Sequence, residues 1–197
     1  MKALTISGKS INETHIVDAT GGLGVDGFMF ASAGFNVTML EKNPLVYTLL
    51  SDAVQRASQV PGLKSIMSRI TIQHIDAVEW FAKNANNENT PDVIFLDPMY
   101  PIESKMKALP KKGMALARAL VGRVDRADAL VREALKCAKE KVVLKRPYYT
   151  VESAGVLNSY KSRSLRFEVF TRESWEKAGN AEEARVPANS QRIRPQL

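Results

Sequence analysis

The chain has 197 residues, of which 45% are hydrophobic, so it can bury one core of the size usual for a single domain. No stretch approaches the roughly 18 apolar residues that cross a bilayer, and the N-terminus lacks the apolar core of a signal peptide, so we expect a cytoplasmic protein. One cysteine and two histidines exclude an internal disulfide and a zinc site of the usual spacing, and we expect no metal.

The net charge of +7 is unevenly distributed along the chain. Residues 1–97 carry 7 basic and 10 acidic side chains, whereas residues 98–197 carry 21 and 11. A positive surface of this kind attracts a polyanion such as nucleic acid, although a solvated basic face is an equally common explanation.

Strands and helices are predicted to alternate along the first half of the chain. The hydrophobic patterns predict strands at 15–19, 36–41, 70–76 and 93–96, and helices at 25–34, 43–60 and 77–85. Asn43 is a plausible N-cap for the helix that follows it, and Pro44 suits the first helical position. The alternation predicts a mostly parallel sheet covered by helices on both faces, with ligands beyond the carboxyl ends of its strands.

The second half of the chain continues this pattern less regularly. Helices are predicted at 114–122 and 127–141, a strand at 141–146 and an antiparallel hairpin within 155–170. Cys137 is expected to be a small buried hydrophobic residue on the second of these helices. The periodicity fades after the hairpin, so we predict one domain over residues 1–171 and a C-terminal tail over 172–197.

A glycine-rich turn follows the first predicted strand in "VDATGGLGVDG". Glycines at this point let the backbone approach a ligand closely and leave the N–H groups of the next helix accessible, so Gly22 and Gly24 are predicted cofactor residues. Gly22, Gly24 and Gly27 also match the G-x-G-x-x-G pattern of dinucleotide-binding proteins. Glu41 closes the second strand, where a ribose-binding acid belongs. A nicotinamide cofactor is therefore one interpretation.

Acidic residues close four predicted strands in succession, namely Asp18, Glu41, Asp76 and Asp97. Each of them alone is explained more simply as a helix cap or a loop residue, but four at successive strand ends are harder to explain in this way. Asp18 and Asp26 flank the glycine turn, however, where both would repel a pyrophosphate. Asp18 could instead support the loop or hold a cationic amine. S-adenosylmethionine (SAM) has a sulfonium, an amino group, a ribose diol and an adenine, whose N–H could donate to Asp76. We therefore predict SAM as the cofactor.

The stretch "VIFLDPMYP", residues 93–101, runs from a buried strand directly into Asp97 and Pro98. A strand-to-turn transition with Asp97 as a cap is the simplest explanation. A carboxylate and a proline carbonyl, however, could accept both N–H bonds of an exocyclic amine and direct its lone pair at a methyl donor. Tyr100 could stack on a base flipped out of its helix. Asp97, Pro98 and Tyr100 are therefore the predicted catalytic residues.

The motif "DPMY" resembles the Asp-Pro-Pro-Tyr/Phe motif of amino methyltransferases, with Met99 in place of the second proline. Together with "VDATGGLGVDGF", "MLEKNP" and "VVLKRPYY", it resembles a bacterial family that methylates the N2 amine of a guanine in small-subunit ribosomal RNA, over residues 16 to about 170. The resemblance implies a Rossmann-like class I methyltransferase fold with a sheet of the seven-stranded type. It also implies SAM contacts near Val25, Asp26, Glu41, Lys42, Asp76, Ala77 and Asp97. Members of that family carry a further N-terminal segment, without which substrate binding would weaken while the cofactor pocket persists.

Basic residues near the same sheet edge are candidates for contacts with RNA phosphates. They are Lys105, Lys107, Lys111 and Lys112 in the loop after Tyr100, and Lys145 and Arg146 at the end of the next strand. The alternative is an ordinary lysine-rich loop. Tyr148 and Tyr149 could stack on bases or pack under the hairpin.

The residues and the resemblance together predict SAM-dependent methyl transfer to the N2 amine of a guanine in small-subunit ribosomal RNA, with the RNA or the small ribosomal subunit as partner. Two alternatives stay open. The same motif serves methyltransferases that act on a protein glutamine amide or on DNA adenine. A non-catalytic nucleotide-binding or RNA-binding module would bind the cofactor without transferring a methyl group.

Overall fold

The structure is a computed structural model that describes residues 1–85, 87, 90–98 and 127–183. Its strands are β1 (His15–Asp18), β2 (Asn36–Glu41), β3 (Ile70–His74), β4 (Val93–Leu96), β5 (Lys141–Pro147), β6 (Asn158–Lys161) and β7 (Leu165–Phe170). Its helices are α1 (Val25–Ser32), α2 (Pro44–Ser58), α3 (Lys64–Met67), α4 (Ala77–Asn84), α5 (Ala127–Leu135) and α6 (Arg172–Glu183), with 3-10 turns at Ile11–Glu13 and Pro61–Leu63. Within the part of the chain that is described, no helix is both long and apolar enough to span a membrane.

All seven strands form one sheet in the order β3-β2-β1-β4-β5-β7-β6. Strands β1 to β5 run parallel to one another, and β7 lies antiparallel between β5 and β6. The predicted mostly parallel sheet with a C-terminal antiparallel hairpin is therefore confirmed. Since the parallel strands all end at one edge, the residues that follow β1, β2, β3 and β4 are brought close together there.

Strand β4 lies at the centre of the sheet and is buried on both faces. Val93 and Phe95 pack with α1 and α2, where the Phe95 ring meets Phe30 edge-on with 4.9 Å between ring centroids. Ile94 and Leu96 pack with α4 and α5 on the opposite face. Burying one such side chain contributes about 1.5–3 kcal/mol, which explains why this short strand reads as a continuous apolar run.

Helix α2 begins as its sequence predicts. The Asn43 side chain accepts hydrogen bonds from the backbone N–H groups of Leu45 and Val46, at 3.0 and 3.2 Å, and Pro44 occupies the first helical position. This cap satisfies two of the N–H groups that have no partner inside the helix, and it fixes the direction in which the chain leaves β2.

Two elements in the second half of the chain differ from the prediction, whereas the domain boundary at residue 171 stays a prediction. Helix α5 ends at Leu135, so Cys137 lies in the following turn, although it is fully buried and its thiol donates to the Phe81 carbonyl at 3.3 Å. Residues 172–183, placed in the tail, form α6. This helix is mostly polar and is anchored by Trp175, whose ring packs 5.8 Å from that of Phe170. A helix with so few apolar positions has no readable periodicity. The helix predicted at 114–122 lies outside the described residues.

Candidate active site

A cleft of about 400 Å³ opens at the carboxyl ends of β1, β2, β3 and β4. Seven of the residues predicted from the sequence line it, namely Gly22, Glu41, Lys42, Asp76, Ala77, Asp97 and Pro98. These residues lie close together because β1 lies between β2 and β4 in the sheet. The cleft therefore joins the glycine turn, the acids of the second and third strands, and the Asp-Pro motif in one place.

The walls of the cleft also contain residues that the sequence reasoning missed. They are Ala19, Thr20, Leu40, Ile75 and Val78, with Ala129, Leu130 and Glu133 from α5. Thr20 stands inside the glycine-turn motif and could have been noticed there. The α5 residues could not, because nothing in their local sequence indicates that this helix packs over the end of β4. Their mostly apolar side chains make one wall suited to a flat, uncharged ring.

The G-x-G-x-x-G spacing has a structural explanation in this chain. Gly24 has φ of 81°, a left-handed conformation that favours glycine, and it precedes α1. A Cβ atom on Gly27 would overlap the Met39 side chain, so glycine lets α1 pack closely against β2 without displacing that side chain. The pattern therefore records a tight turn and a close helix–strand contact, and neither requires a pyrophosphate.

Glu41 is 6% exposed and connects two backbone segments at the cleft. One carboxylate oxygen accepts the Gly22 N–H at 3.0 Å, and the other accepts the Asn43 N–H at 2.7 Å. A carboxylate has about four acceptor positions, so two of them are filled by the protein. The remaining acceptor positions suit the two hydroxyl groups of a ribose.

Asp18 does not line the cleft but lies beneath it, 1% exposed. One of its oxygens accepts from the Thr20 N–H at 3.1 Å and from the Thr20 hydroxyl at 3.2 Å. The Thr20 hydroxyl oxygen in turn accepts the Asp97 N–H at 2.7 Å. Burial raises the pKa of Asp18 to about 7, against the opposing effect of the Thr20 N–H. Asp18 thus supports the Asp-Pro motif from below, through Thr20, while its predicted contact with the cofactor stays a prediction.

This pKa makes a stability prediction for Asp18→Asn. The folded carboxyl holds its proton up to about pH 7, whereas the unfolded one loses it near 3.8, so this group's contribution to stability is lost as pH rises between those values. The asparagine amide can still accept from Thr20 and does not ionise. As pH rises from 5 to 8, the unfolding free energy of the variant minus that of wild type should therefore increase by on the order of 2–4 kcal/mol.

Urea unfolding at several pH values would measure this difference, with Asp52→Asn as a control because Asp52 is exposed on α2. A difference between variant and wild type that stays constant with pH would show that Asp18 ionises normally in the folded protein.

Asp76 caps α4 as well as lining the cleft. Its side chain accepts the Val78 N–H at 2.8 Å, and its second oxygen lies 3.7 Å from the Lys42 ammonium. Both side chains are about half exposed, so this ion pair adds little to stability. The predicted contact with an adenine N–H stays a prediction.

Lys145 lies inside the site, between the carboxylates of Asp26 and Asp97. Its ammonium is 2.7 Å from an Asp26 oxygen and 2.9 Å from an Asp97 oxygen, and its side chain is 16% exposed. Burial lowers the pKa of Lys145, but the two carboxylates raise it more, so the net shift is upward and the lysine stays charged. The predicted contact of Lys145 with RNA phosphate stays a prediction, and the two acids that hold this side chain weigh against it. The cation beside Asp26 is supplied by the chain itself.

Arg146 points to the opposite face of β5 and is also engaged internally. Its guanidinium donates to the Ser153 hydroxyl and lies 3.6 Å from the fully buried Glu168 carboxylate. These contacts weigh against its role as a phosphate contact, which stays a prediction. Val25 is exposed, and together with Gly24 it borders a different, apolar groove beside α1 and α2. Tyr100, Lys105, Lys107, Lys111 and Lys112 lie outside the described residues, and their predicted roles stay predictions.

Comparison with known proteins identifies the family. The family model described as "Putative SAM-dependent methyltransferase" matches residues 1–172. The chain belongs to this family of SAM-dependent methyltransferases. Among solved structures, it resembles a SAM-dependent methyltransferase from Neisseria gonorrhoeae with 34% identity and a TM-score of 0.63, covering 80% of this chain and 64% of the other. The predicted class I methyltransferase fold is thereby confirmed.

Curated relatives bear the name "Ribosomal RNA small subunit methyltransferase J". The one from Nitrosococcus oceani is 40% identical over 157 residues, which cover 79% of this chain and 61% of that protein. The one from Edwardsiella ictaluri is 41% identical over 175 residues, or 86% of this chain and 66% of that protein. The matched region therefore spans slightly less than two thirds of the length of these relatives. The family resemblance seen in the sequence motifs is confirmed.

Proposed function

We propose that this chain transfers a methyl group from SAM to the exocyclic N2 amine of a guanine in small-subunit ribosomal RNA. The observation that carries the proposal is the position of Asp97 and Pro98 in the wall of the cleft, beside the acids that suit a nucleoside cofactor. The side chain of Asp97 is held by Lys145 and its backbone N–H by Thr20. Family membership and the names of the relatives support the same chemistry.

The residues of the cleft fit SAM. Glu41 has acceptor positions for the ribose diol, and the Asp76 carboxylate can accept from an exocyclic adenine N–H. Ile75, Ala77 and Leu130 supply an apolar wall for the adenine ring. When bound, SAM supplies an electrophilic methyl group on its sulfonium.

The Asp-Pro motif would bind and orient the amine that receives the methyl group. The Asp97 carboxylate accepts one N–H bond and the Pro98 carbonyl the other, which directs the nitrogen lone pair toward the methyl donor. The nitrogen becomes cationic as the new bond forms, and its extra proton then leaves to Asp97 or to water. Tyr100 is proposed to hold the base by stacking, as predicted from its sequence position.

Lys145 acts through Asp97 as a positioning residue. Its contacts with Asp26 and Asp97 fix the direction of the Asp97 carboxylate before any ligand binds. Two carboxylates and one ammonium leave a net charge of −1 next to the reacting nitrogen. That charge favours the cationic amine in the transition state, while Lys145 prevents the two acids from repelling each other.

Glu41→Ala should weaken SAM binding by about 1.5–3 kcal/mol, the scale on which a hydrogen bond to a charged acceptor is lost. Isothermal titration calorimetry would measure the dissociation constant for SAM. Glu79→Ala is the matched control, because Glu79 is exposed on α4 and pairs only with Lys83 among the residues described. Since Glu41 also holds the Gly22 N–H, unfolding should be measured on the same samples. An unchanged dissociation constant would show that Glu41 only braces the backbone.

The class of acceptor is tested by incubating the protein with methyl-labelled SAM and, separately, with small-subunit ribosomal RNA, small subunits, DNA and total protein. We expect label in RNA or in small subunits. Label in protein or DNA alone would replace the RNA assignment with one of the other amine substrates. Binding of SAM with no transfer to any of them would indicate a non-catalytic module.

A further inference from the structure

The turn that follows β5 presents two neighbouring tyrosines to solvent. Tyr148 is 53% exposed and Tyr149 is 44% exposed, so a large part of each residue is accessible to solvent. Single exposed apolar residues are common on protein surfaces and need no explanation. Two adjacent exposed rings at the sheet edge that carries the active site, however, form a surface on which another aromatic ring can stack.

This turn is held in one conformation by hydrogen bonds from several directions. The Tyr148 N–H donates to the Ser164 carbonyl at 3.0 Å, which ties the turn to the β6–β7 hairpin. The Thr150 N–H and hydroxyl both donate to the Pro147 carbonyl, at 3.2 and 2.8 Å, and Arg166 donates to the Thr150 carbonyl at 3.0 Å. The tyrosines therefore stand on a preorganised support, which reduces the entropy lost when a ligand binds.

A buried ion pair lies beneath the turn and supports it further. Arg166 and Glu168 are 5% and 0% exposed, and their side chains are 2.7 Å apart. Glu168 also accepts the Ser153 N–H at 3.4 Å. A buried pair of this kind contributes little net stability compared with apolar side chains of similar volume. Its effect here is to fix the backbone that follows the tyrosines, at Thr150 and Ser153.

Two basic side chains lie beside the tyrosines. Lys161 and Arg163 are exposed in the hairpin turn whose Ser164 carbonyl binds Tyr148. Neither forms an ion pair with any residue in the described ranges. The loop that carries the tyrosines contains the acid Glu152, and the Asp128 carboxylate accepts from Ser153 further along the same loop. We call Tyr148, Tyr149, Lys161 and Arg163 the tyrosine platform.

The tyrosine platform lies next to the reacting end of the cleft and on its far side from the cofactor residues. Leu144 pairs with Leu96, and Lys145 contacts Asp97, so Tyr148 is three strand residues, about 10 Å, beyond Asp97. The cleft extends from β4 toward β1, β2 and β3, whereas the platform extends toward β7 and β6. The cofactor fills the cleft on the side of β1, β2 and β3. A substrate whose amine reaches Asp97 can therefore approach from the side of β7 and β6.

We propose that the tyrosine platform binds the single-stranded nucleotides that flank the target base, by stacking on the two rings and by phosphate contacts with Lys161 and Arg163. This inference rests on the proposed function and adds the surface that holds the RNA. Exposed aromatic rings next to unpaired basic side chains are what single strands of nucleic acid require, since every base has a face to stack and every linkage carries a charge. Lys145 and Arg146 form ion pairs inside the protein, so we expect the platform to supply phosphate contacts at this edge of the sheet.

The double variant Tyr148→Ala with Tyr149→Ala tests the stacking contacts. Its dissociation constant for protein-free small-subunit ribosomal RNA should rise about tenfold or more, while that for SAM stays unchanged. Tyr148→Phe with Tyr149→Phe keeps the rings and should bind RNA within about twofold of wild type. Thermal unfolding of both variants verifies that the fold is retained, as expected for exposed rings.

The double variant Lys161→Glu with Arg163→Glu tests the phosphate contacts. The slope of log affinity against log salt should fall by about 1 to 2, because each contact with a single-stranded phosphate contributes about 0.7. Lys2→Glu with Lys64→Glu is the matched control, since both lysines are exposed and lie near the amino ends of the strands. For this control, the slope of log affinity against log salt should fall by less than half as much as for Lys161→Glu with Arg163→Glu.

The outcomes separate this inference from the proposed function. If the wild-type protein methylates no RNA, the proposed function fails. If it methylates RNA but the alanine and glutamate variants bind RNA as wild type does, the tyrosine platform is not the RNA surface. Variants impaired on assembled small subunits but normal on protein-free RNA would show that the platform contacts a ribosomal protein, which also overturns the inference.

Discussion

Asp97→Ala is expected to reduce methyl transfer by at least about 100-fold at saturating SAM, the scale of losing one preorganised electrostatic contact. The backbone N–H of Asp97 donates to the Thr20 hydroxyl, and this bond does not involve the carboxylate. The substitution should therefore leave the backbone conformation after β4 unchanged. Single-turnover transfer to small-subunit ribosomal RNA would measure the effect. SAM affinity must be measured separately, because the carboxylate also lines the cofactor cleft.

Asp97→Asn refines this prediction. The amide oxygen can still accept one N–H bond, but the negative charge that favours a cationic amine is lost, so we expect an intermediate rate. Asp52→Ala, on the exposed face of α2, serves as a control and should transfer at the wild-type rate. Near-normal turnover in Asp97→Ala would reduce the Asp-Pro motif to a strand end followed by a turn.

Lys145→Met is expected to lower turnover by about 10- to 100-fold with SAM saturating, equivalent to roughly 1.4–2.7 kcal/mol. The substitution keeps most of the side-chain length but leaves the carboxylates of Asp26 and Asp97 without a cation between them. The side chains of these two acids are 20% and 36% exposed, so solvent reduces the cost below that of breaking a fully buried pair. Lys177→Met, in an exposed pair with Glu173, is the matched control.

A double-mutant cycle shows whether Lys145 acts through Asp97. If it does, Lys145→Met should lower turnover much less in the Asp97→Ala background than in wild type, because the group it positions is already missing. Equal losses in both backgrounds would assign Lys145 an independent role. The cycle also separates positioning from general destabilisation, which would add in either background.

Most of the fold could be predicted from the sequence because its strands and turns have strong local signals. The four-residue run at β4 is apolar throughout because both of its faces are buried, and Pro98 prevents its continuation. Asn43 and Pro44 start α2 where their chemistry predicts. Helix α6 could not be predicted, since its packing depends chiefly on Trp175 and the rest of the helix is polar.

The site was partly predictable for a related reason. The strand order of a parallel sheet brings strand-end residues together, so Glu41, Asp76 and Asp97 could be placed at one cleft from the sequence. The acid partners of Lys145 could not be predicted, because they are decided by the register of β4 against β5, which no local pattern reveals. A basic residue at a strand end looks the same in sequence whether it meets a phosphate or two carboxylates.

The position of the methyl group in the product tests the central claim most directly. Unmodified small-subunit ribosomal RNA would be incubated with the protein and SAM, digested to nucleosides and analysed by mass spectrometry. The account predicts N2-methylguanosine with the wild-type protein and a yield at least about 100-fold lower with Asp97→Ala at saturating SAM. Methylation at another atom or another nucleoside, or an equal yield from both proteins, would contradict it.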